Sequence, residues 1–187
     1  MPTNPIHLAR AVTALRRGGV IAYATEAVWG LGCDPMQERA ALHLLALKRR
    51  DIRKGMILVA AHIDQLTPFL HGLTPTQRDT LCRSWPGPNT WLIPHNGAAP
   101  HWITGGRDTL AVRVSAHPSV AALCEAFGGP IVSTSANPAG RHPARTALAV
   151  RRYFPGQLDD ILPGQIGTLG KPTPIRHLLT GATVRLG

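Results

Sequence analysis

The sequence predicts a layered α/β domain, and three observations lead to this fold class. The chain has 187 residues, 44% of them hydrophobic, which is enough for one domain with its own core. Segments with helical periodicity alternate along the chain with short apolar runs of strand length. The 19 glycines and 17 prolines cluster between these segments, so we expect stiff, shaped loops of the kind that often bind ligands.

The helical segments carry start and stop signals. In the first, over residues 6–17, Leu8 and Leu15 share one face, Asn4 can cap the start, and two glycines follow the end. The pattern Thr74-Pro75-Thr76-Gln77 resembles a capping box. The predicted helices are 6–17, 37–48, 74–84, one that begins at 118, 146–154, and a last short helix opened by Thr173 and Pro174.

Short apolar runs bounded by turn residues are the predicted strands. The sequences VIAYA at 20–24 and MILVA at 56–60 are typical of buried strands. The full predicted set is 20–24, 56–60, 90–93, 110–114, 131–133 and a closing strand at 183–186.

The charge balance indicates an anionic partner. Lys and Arg total 20 against 10 acidic residues, a formal net charge of +10, yet charged residues are only 16% of the chain. The expected partners are therefore nucleotides, carboxylates or nucleic acid. Because no apolar run reaches about 18 residues and no signal peptide is recognisable, we expect a cytoplasmic protein with no membrane partner.

The sequence contains few elements of metal or covalent chemistry. Cys33, Cys82 and Cys124 form no C-x-x-C pair and are expected to be reduced, mostly buried thiols. None of the nine histidines lies at a metal-ligand spacing from a cysteine or carboxylate. The patterns of a P-loop and of a G-x-S-x-G nucleophile are both missing.

Four polar segments lie at the ends of predicted strands or beside them, where α/β sheets place their ligands. The first, residues 23–34, carries Thr25, Glu26 and two glycines directly after a strand. The glycines allow the backbone to approach a ligand closely. Taken alone, this segment favours an ordinary strand-turn with Thr25 as a cap.

The second polar segment, residues 48–55, places five bases at the end of a helix and in the following loop. Cations at a helix C-terminus are a common surface feature. Five bases exceed what a cap needs, so we favour an anion clamp. In that clamp Arg50 grips a phosphate or carboxylate through two parallel bonds, and Lys48 acts as a point charge.

The third polar segment, residues 108–114, gives Thr109, Ala111 and Arg113 the same strand parity. An arginine inside an apolar strand needs a partner, because burying its charge alone is costly. A salt bridge with Asp34 or Glu26 and a bound substrate carboxylate both fit this pattern.

The fourth polar segment, residues 131–140, supplies hydroxyls and an amide directly after a buried strand. Ser133, Ser135 and Asn137 alternate and can point the same way, towards phosphate or sugar oxygens. Pro138 and Gly140 stiffen the loop, which favours this interpretation over a simple hydroxyl-rich turn. A site of Lys, Arg, Ser, Thr and Asn binds anions and stabilises charge, and it does not attack covalently.

Together and in this order, the segments resemble the YrdC/TsaC family of threonylcarbamoyl-AMP synthases, in its short bacterial TsaC form. Between about Val20 and Arg176, five family patterns are matched: P-T-[DE]-x-V-[YFW]-G-[LV]-G at 24–32, K-x-R at 48–50, W-P-G-P-x-T at 85–90, A-V-R-V at 111–114 and S-T-S-A-N-x-[SA]-G at 133–140. Ala24, Asp51 and Ser115 replace prolines of the family pattern, which reduces local stiffness but removes no ligand-binding side chain.

The resemblance implies a fold and a reaction. The fold is a single YrdC-like α/β domain (mixed α+β) over residues 1–187, with a twisted mixed sheet flanked by helices, a basic concave cavity and no C-terminal extension domain. The reaction is a nucleotidyl transfer in which L-threonine, bicarbonate and ATP give threonylcarbamoyl-adenylate and pyrophosphate, for the N6-threonylcarbamoyladenosine (t6A37) modification of tRNA. Because a carbamate formed from threonine and bicarbonate can attack the α-phosphate, no protein nucleophile is required.

The resemblance also implies residue roles and partners. Threonine would be held by Thr25, Arg113 and Ser133; ATP by Arg50, Lys54, Thr109, Ser135, Thr173 and Arg176; and the catalytic tetrad would be Lys48, Arg50, Ser135 and Asn137. Mg²⁺ would arrive with ATP, held mainly by phosphates, with no organic cofactor and no protein metal site. Suggested further partners are tRNA and the downstream threonylcarbamoyl-transferase proteins TsaD, TsaB and TsaE.

Two other interpretations stay open. The charge of +10 also suits a module that binds double-stranded RNA or rRNA precursors, although aromatic residues are only 5% of the chain. A carbamoyl-transfer domain of related fold is the third interpretation, although such domains normally lie within larger chains.

Overall fold

The computed structural model of the chain describes residues 4–170 and 173–185. In these residues, the α-helices are α1 (Pro5–Arg16), α2 (Glu38–Lys48), α3 (Pro75–Ser84), α4 (His101–Thr104), α5 (Pro118–Phe127) and α6 (Ala147–Tyr153), with 3-10 helices at Ile52–Lys54 and Ile63–Leu70. The strands are β1 (Ile21–Ala24), β2 (Trp29–Gly32), β3 (Ile57–Ala60), β4 (Thr90–Pro94), β5 (Thr109–Val114), β6 (Ile131–Ser135), β7 (Asp160–Ile161), β8 (Ile175–His177) and β9 (Thr183–Arg185). No helix within the described ranges is long and apolar enough to cross a membrane.

The strands of the described residues form one mixed sheet in the order β7-β1-β2-β6-β3-β5-β4-β8-β9. β1 and β2 form an antiparallel hairpin, and β6 pairs antiparallel with both β2 and β3. The pairs β1–β7, β3–β5 and β4–β8 are parallel. The predicted fold class, a mixed sheet flanked by helices, is confirmed.

Apolar side chains cover both faces of the sheet. Along β1, Ile21 and Tyr23 pack with Leu15 of α1 and Leu123 of α5, whereas Ala22 lies in the cluster on the opposite face. This alternation follows from the two-residue period of a strand. The continuous apolar runs of the sequence are therefore strands that are buried on both faces.

Helix starts occur where the capping signals predict them. The Asn4 side chain accepts a hydrogen bond of 2.9 Å from the Ile6 N–H. Thr74 and Gln77 exchange the two bonds of a capping box, with N···O distances of 2.9 and 3.3 Å. The first helix and the helix over 75–84 are thus confirmed, with boundaries shifted by one residue.

The C-terminal part of the prediction needs a correction. The short helix expected from Thr173 and Pro174 is wrong, because Ile175–His177 is strand β8. The edge of β4 would otherwise carry unpaired backbone groups, so β8 pairs with it in parallel. The Thr90 N–H also donates to the Pro174 carbonyl at 3.1 Å. The closing strand is confirmed as β9 over Thr183–Arg185, and Leu186 lies outside the described residues.

One central strand has no counterpart in the prediction. β2 contains Gly30 and Gly32, which are typical of a turn, but both residues pair with β1. A Cβ on Gly32 would lie 2.8 Å from the ring of Tyr23, so glycine here makes room for a buried aromatic side chain.

Candidate anion-binding active site

A concave cavity of about 440 Å³ opens on the sheet, and residues from many separate parts of the chain line it. Most of the polar lining comes from the turn after β1, the loop after α2, and strands β5 and β6 with the residues that precede β5. Eight residues singled out from the sequence line this cavity: Thr25, Arg50, Lys54, Thr109, Arg113, Ser133, Ser135 and Thr173. The fold thus brings together side chains from all four polar segments.

Strand pairing explains how the floor of the cavity is built. Ile57 of β3 pairs with Ala111 of β5 on one side and with Ser133 of β6 on the other, so the three side chains form one row across the sheet. The small side chains of Ala111 and Ser133 leave space above the row. Thr109 and Arg113 lie two residues to either side of Ala111 and also line the cavity, which confirms that they share one face.

Arg113 forms a buried ion pair at the edge of this floor. Its Nη1 lies 3.1 Å from Oε2 of Glu26, and the two side chains are only 7% and 11% exposed. Of the two acidic partners considered, Glu26 is the one in contact, because Asp34 instead accepts hydrogen bonds from the Met36 N–H and the Gln37 amide. Since Arg113 also lines the cavity, the ion pair and a bound carboxylate are compatible.

The turn that carries Glu26 is held from both sides. The Thr25 hydroxyl donates to the Val28 carbonyl at 2.7 Å. On the other side, the N–H groups of Gly167 and Leu169 donate to the carbonyls of Thr25 and Glu26 at 2.9 and 3.2 Å. The backbone of the turn is therefore fixed before any ligand binds.

The loop after α2 presents two cations to the cavity. Nη2 of Arg50 donates to the Gly55 carbonyl at 2.9 Å, which ties the guanidinium across the loop that carries Lys54. Asp51 caps the 3-10 helix by accepting from the Arg53 N–H at 2.9 Å, and it also pairs with the Arg53 guanidinium at 2.6 Å. These hydrogen bonds hold the pKa of Asp51 down at about 2. Asp51 therefore adds a cap where the family pattern has a proline.

Lys48 lies beneath the cavity wall and is not among its lining residues. Its side chain is buried, and its Nζ donates to the carbonyls of Ser135 and, at 2.8 Å, Asn137. Burial, together with the nearby charge of Arg50, lowers the pKa of Lys48 to about 8. The ammonium thus holds the backbone of the β6 loop, and its expected action as a point charge on a bound anion stays a prediction.

Asn137 and Arg176 also lie outside the lining. The Asn137 amide donates to the Arg141 carbonyl at 2.7 Å and to the Pro138 carbonyl at 3.2 Å, so it braces its own loop. Thr173, which precedes β8, and Ile175 of β8 line the cavity, and strand alternation directs the next side chain, Arg176, to the other face. Asn137 and Arg176 therefore do not line the cavity with Ser135 and Thr173, and their expected roles at the ligand stay predictions.

Sequence reasoning missed one cation of the cavity, Arg107. It lies on the rim, with its Nε donating to the Arg53 carbonyl at 2.9 Å. The available signal was a base two residues before Thr109, after Gly105 and Gly106, which both adopt positive φ. Arg107 joins Arg50, Lys54 and Arg113, so four cations face one carboxylate, that of Glu26, among the described lining residues.

The fold and the site together define an anion-binding α/β domain with a cavity for small, multiply charged ligands. Comparison with known sequences places it more closely: the chain belongs to the Sua5/YciO/YrdC family, whose model, described as "Telomere recombination", matches residues 13–187.

Similar proteins cover nearly the whole chain. The threonylcarbamoyl-AMP synthase of Cellvibrio japonicus is 57% identical over 175 residues, 94% of this chain and 93% of that protein. The threonylcarbamoyl-AMP synthase of Halorhodospira halophila is 55% identical over 183 residues, covering 98% and 96%. The crystal structure of P. abyssi Sua5 complexed with L-threonine is similar with a TM-score of 0.87 and 30% identity. That match covers 94% of this chain and 52% of the Sua5 chain, so this chain spans about half of that protein.

Proposed function

We propose that the chain is a threonylcarbamoyl-AMP synthase, which makes threonylcarbamoyl-adenylate and pyrophosphate from L-threonine, bicarbonate and ATP. The observation that carries this proposal is the convergence of Arg113, Thr25 and Ser133 with Arg50 and Lys54 on one cavity. Relatives that are 51–57% identical to this chain and have its length carry the name of this activity.

The amino acid would bind between the turn after β1 and the floor of the sheet. Arg113 offers its guanidinium to the threonine carboxylate, and the hydroxyls of Thr25 and Ser133 lie on the same wall. The solved Sua5 relative is complexed with L-threonine, which supports a threonine site in this domain.

The nucleotide would bind on the side of the loop after α2. Arg50, Lys54 and Arg107 place three positive charges there for the phosphates, while the hydroxyls of Thr109 and Ser135 can donate to phosphate or ribose oxygens. Mg²⁺ would enter as part of the ATP substrate. The Glu26 carboxylate already serves Ser115 and Arg113, so the phosphates would be the main ligands of the ion.

The reaction needs positioning and charge neutralisation. The threonine amine and bicarbonate condense to a carbamate with loss of water. A carbamate oxygen then attacks the α-phosphorus, the bond from that phosphorus to the oxygen bridging to the β-phosphate breaks, and pyrophosphate leaves. Cations fixed around the cavity stabilise the negative charge of the transition state, and they need no reorganisation because their loops are already held. Lys48 would contribute by fixing the backbone on which Ser135 is mounted.

The product suits the t6A37 modification of tRNA in the cytoplasm, with threonylcarbamoyl-transferase proteins as the next users. A duplex RNA module is not favoured, because Arg50, Lys54 and Arg113 converge on one concave cavity instead of forming a stripe.

The test is a pyrophosphate-release assay with omission of each substrate. We expect release only when ATP, threonine and bicarbonate are all present, and equal release without threonine would refute the proposal. Arg50→Ala and Ser135→Ala should abolish release with little change in thermal unfolding. Arg83→Ala, which removes an exposed arginine paired with Asp79 on α3, is the matched control and should remain active. Serine, lacking one methyl group, should be used less well, by about 10- to 200-fold.

A further inference from the structure

We infer that Ser115 is a positioning residue for threonine, because it holds the Glu26 carboxylate so that Arg113 keeps part of its guanidinium for the substrate. This inference rests on the proposed function. It concerns a residue at which the chain departs from the family pattern, which has a proline there.

The three side chains form a chain of buried contacts. Oγ of Ser115 lies 2.6 Å from Oε1 of Glu26, and Oε2 of the same carboxylate lies 3.1 Å from Nη1 of Arg113. Counted over the whole residue, backbone included, the exposed fractions of Ser115, Glu26 and Arg113 are 2%, 8% and 6%. Little water can compete for these groups, so their mutual geometry decides how the charges are satisfied.

The direction of the Ser115 hydroxyl is fixed by its second partner. The N–H of His117, which can only donate, lies 3.1 Å from Oγ of Ser115. The hydroxyl therefore accepts from the backbone and has one proton left, which it donates to the Glu26 carboxylate. A hydrogen bond to a charged acceptor is stronger than a neutral one, so the carboxylate is held in one rotamer.

Holding the carboxylate limits how much of Arg113 it can occupy. With Oε1 bound to Ser115, Glu26 reaches the guanidinium through a single oxygen, and Nε of Arg113 has no hydrogen-bond partner within the described residues. A carboxylate free to turn would form the bidentate pairing that arginine favours. Such a pairing would compete directly with the carboxylate of the substrate.

Backbone hydrogen bonds hold the main chains of Glu26 and Ser115 independently, so the Ser115 hydroxyl acts on Glu26 only through the orientation of its carboxylate. The Glu26 carbonyl already accepts from the Leu169 N–H, and the Ser115 N–H donates to the Ala60 carbonyl at 3.0 Å. Removing only the hydroxyl keeps these two backbone hydrogen bonds, although the His117 N–H loses its acceptor, as the Trp91 ring N–H does in Ser84→Ala. The effect of removing the Ser115 hydroxyl should appear in threonine binding and leave ATP binding unchanged.

Ser115→Ala tests the inference through the separate KM values of the two substrates. We expect the KM for threonine to rise roughly tenfold, the size of a lost hydrogen bond to a charged group, with the KM for ATP and kcat changed less than about twofold. Ser115→Thr, which keeps the hydroxyl, should restore the KM for threonine. Ser84→Ala is the matched control, because it also removes a hydroxyl that bonds to two partners but lies outside the cavity.

The outcomes separate the two proposals. A wild-type protein that releases no pyrophosphate with threonine refutes the proposed function itself. An active wild type with an unchanged KM for threonine in Ser115→Ala, or with equal increases for both substrates, overturns the inference alone. If Ser115→Ala does not fold, Ser115→Val is compared with the nearly isosteric Ser115→Thr, and equal KM values for threonine in these two variants again overturn the inference.

Discussion

Replacing Lys48 by methionine should make the stability of the protein respond differently to pH. The ammonium of Lys48 is buried, and the burial lowers its pKa from 10.5 to about 8. The unfolded chain therefore holds this proton more tightly than the folded chain. Between about pH 8 and pH 10.5, unfolding takes up a proton, so the free energy of unfolding contributed by Lys48 rises with pH.

The size of the effect follows from the difference between the two pKa values. It corresponds to about 3 kcal/mol over the whole interval, at 1.36 kcal/mol per pKa unit. At pH 7 the methionine variant escapes the cost of the buried charge, but it leaves the Ser135 and Asn137 carbonyls without their donor, at about 1–3 kcal/mol each. We expect these two effects to offset one another near pH 7 and the wild type to be the more stable protein at pH 10.

The assay is urea unfolding of both proteins from pH 7 to pH 10.5. Comparison with Lys48→Met is needed because three other buried groups, Tyr23, Cys33 and Cys124, also have shifted pKa values, raised by burial. Their unfolded forms lose protons first as the pH rises above about 9, which lowers the free energy of unfolding of both proteins. The difference between the two proteins isolates Lys48. If their unfolding free energies change in parallel with pH, the placement of the ammonium under the β6 loop is refuted.

Two further predictions concern the rim and the turn of the cavity. Arg107→Ala should raise the KM for ATP roughly tenfold and leave the KM for threonine unchanged, because Arg107 lines the cavity together with Arg50 and Lys54, the proposed phosphate-binding cations. Equal KM values for ATP in the variant and the wild type would show that Arg107 does not bind the nucleotide. Gly167→Ala should lower the free energy of unfolding by about 1–3 kcal/mol, because its Cβ would lie 2.7 Å from the Glu26 carbonyl oxygen. The measurement is thermal unfolding, with Gly170→Ala as the control because a Cβ there would meet no atom within 4 Å. Equal stability of the Gly167→Ala variant and the wild type would contradict this prediction.

Local patterns predicted the parts of the structure that local physics determines. The capping box at Thr74 and the shared face of Thr109 and Arg113 depend only on residues a few positions apart. Strand β8 depends instead on the free edge of β4, more than 80 residues earlier in the chain, so a Thr-Pro signal could not exclude a helix there.

Distant parts of the chain also decide which of the predicted site residues line the cavity. The motif placed Lys48 beside Arg50, but which of the two reaches the ligand depends on the loop after β6, 87 residues away. Once that loop lies over Lys48, the ammonium satisfies its carbonyls and Arg50 faces the cavity. In the same way, the sequence left Asp34 and Glu26 as possible partners of Arg113, and only the folded structure shows that Glu26 is the acid in contact.

The position of β6 also constrains the order in which the protein can assemble. In the described sheet, β6 is the strand that joins the β1–β2 hairpin to β3, so it connects the side that carries Thr25 to the side that carries Arg113. A nascent chain that has not yet released residue 135 contains Thr25 and Arg113 but lacks the folded strand that aligns them and carries Ser133. Because long-range pairing is slow, the cavity should be among the last features to form during synthesis.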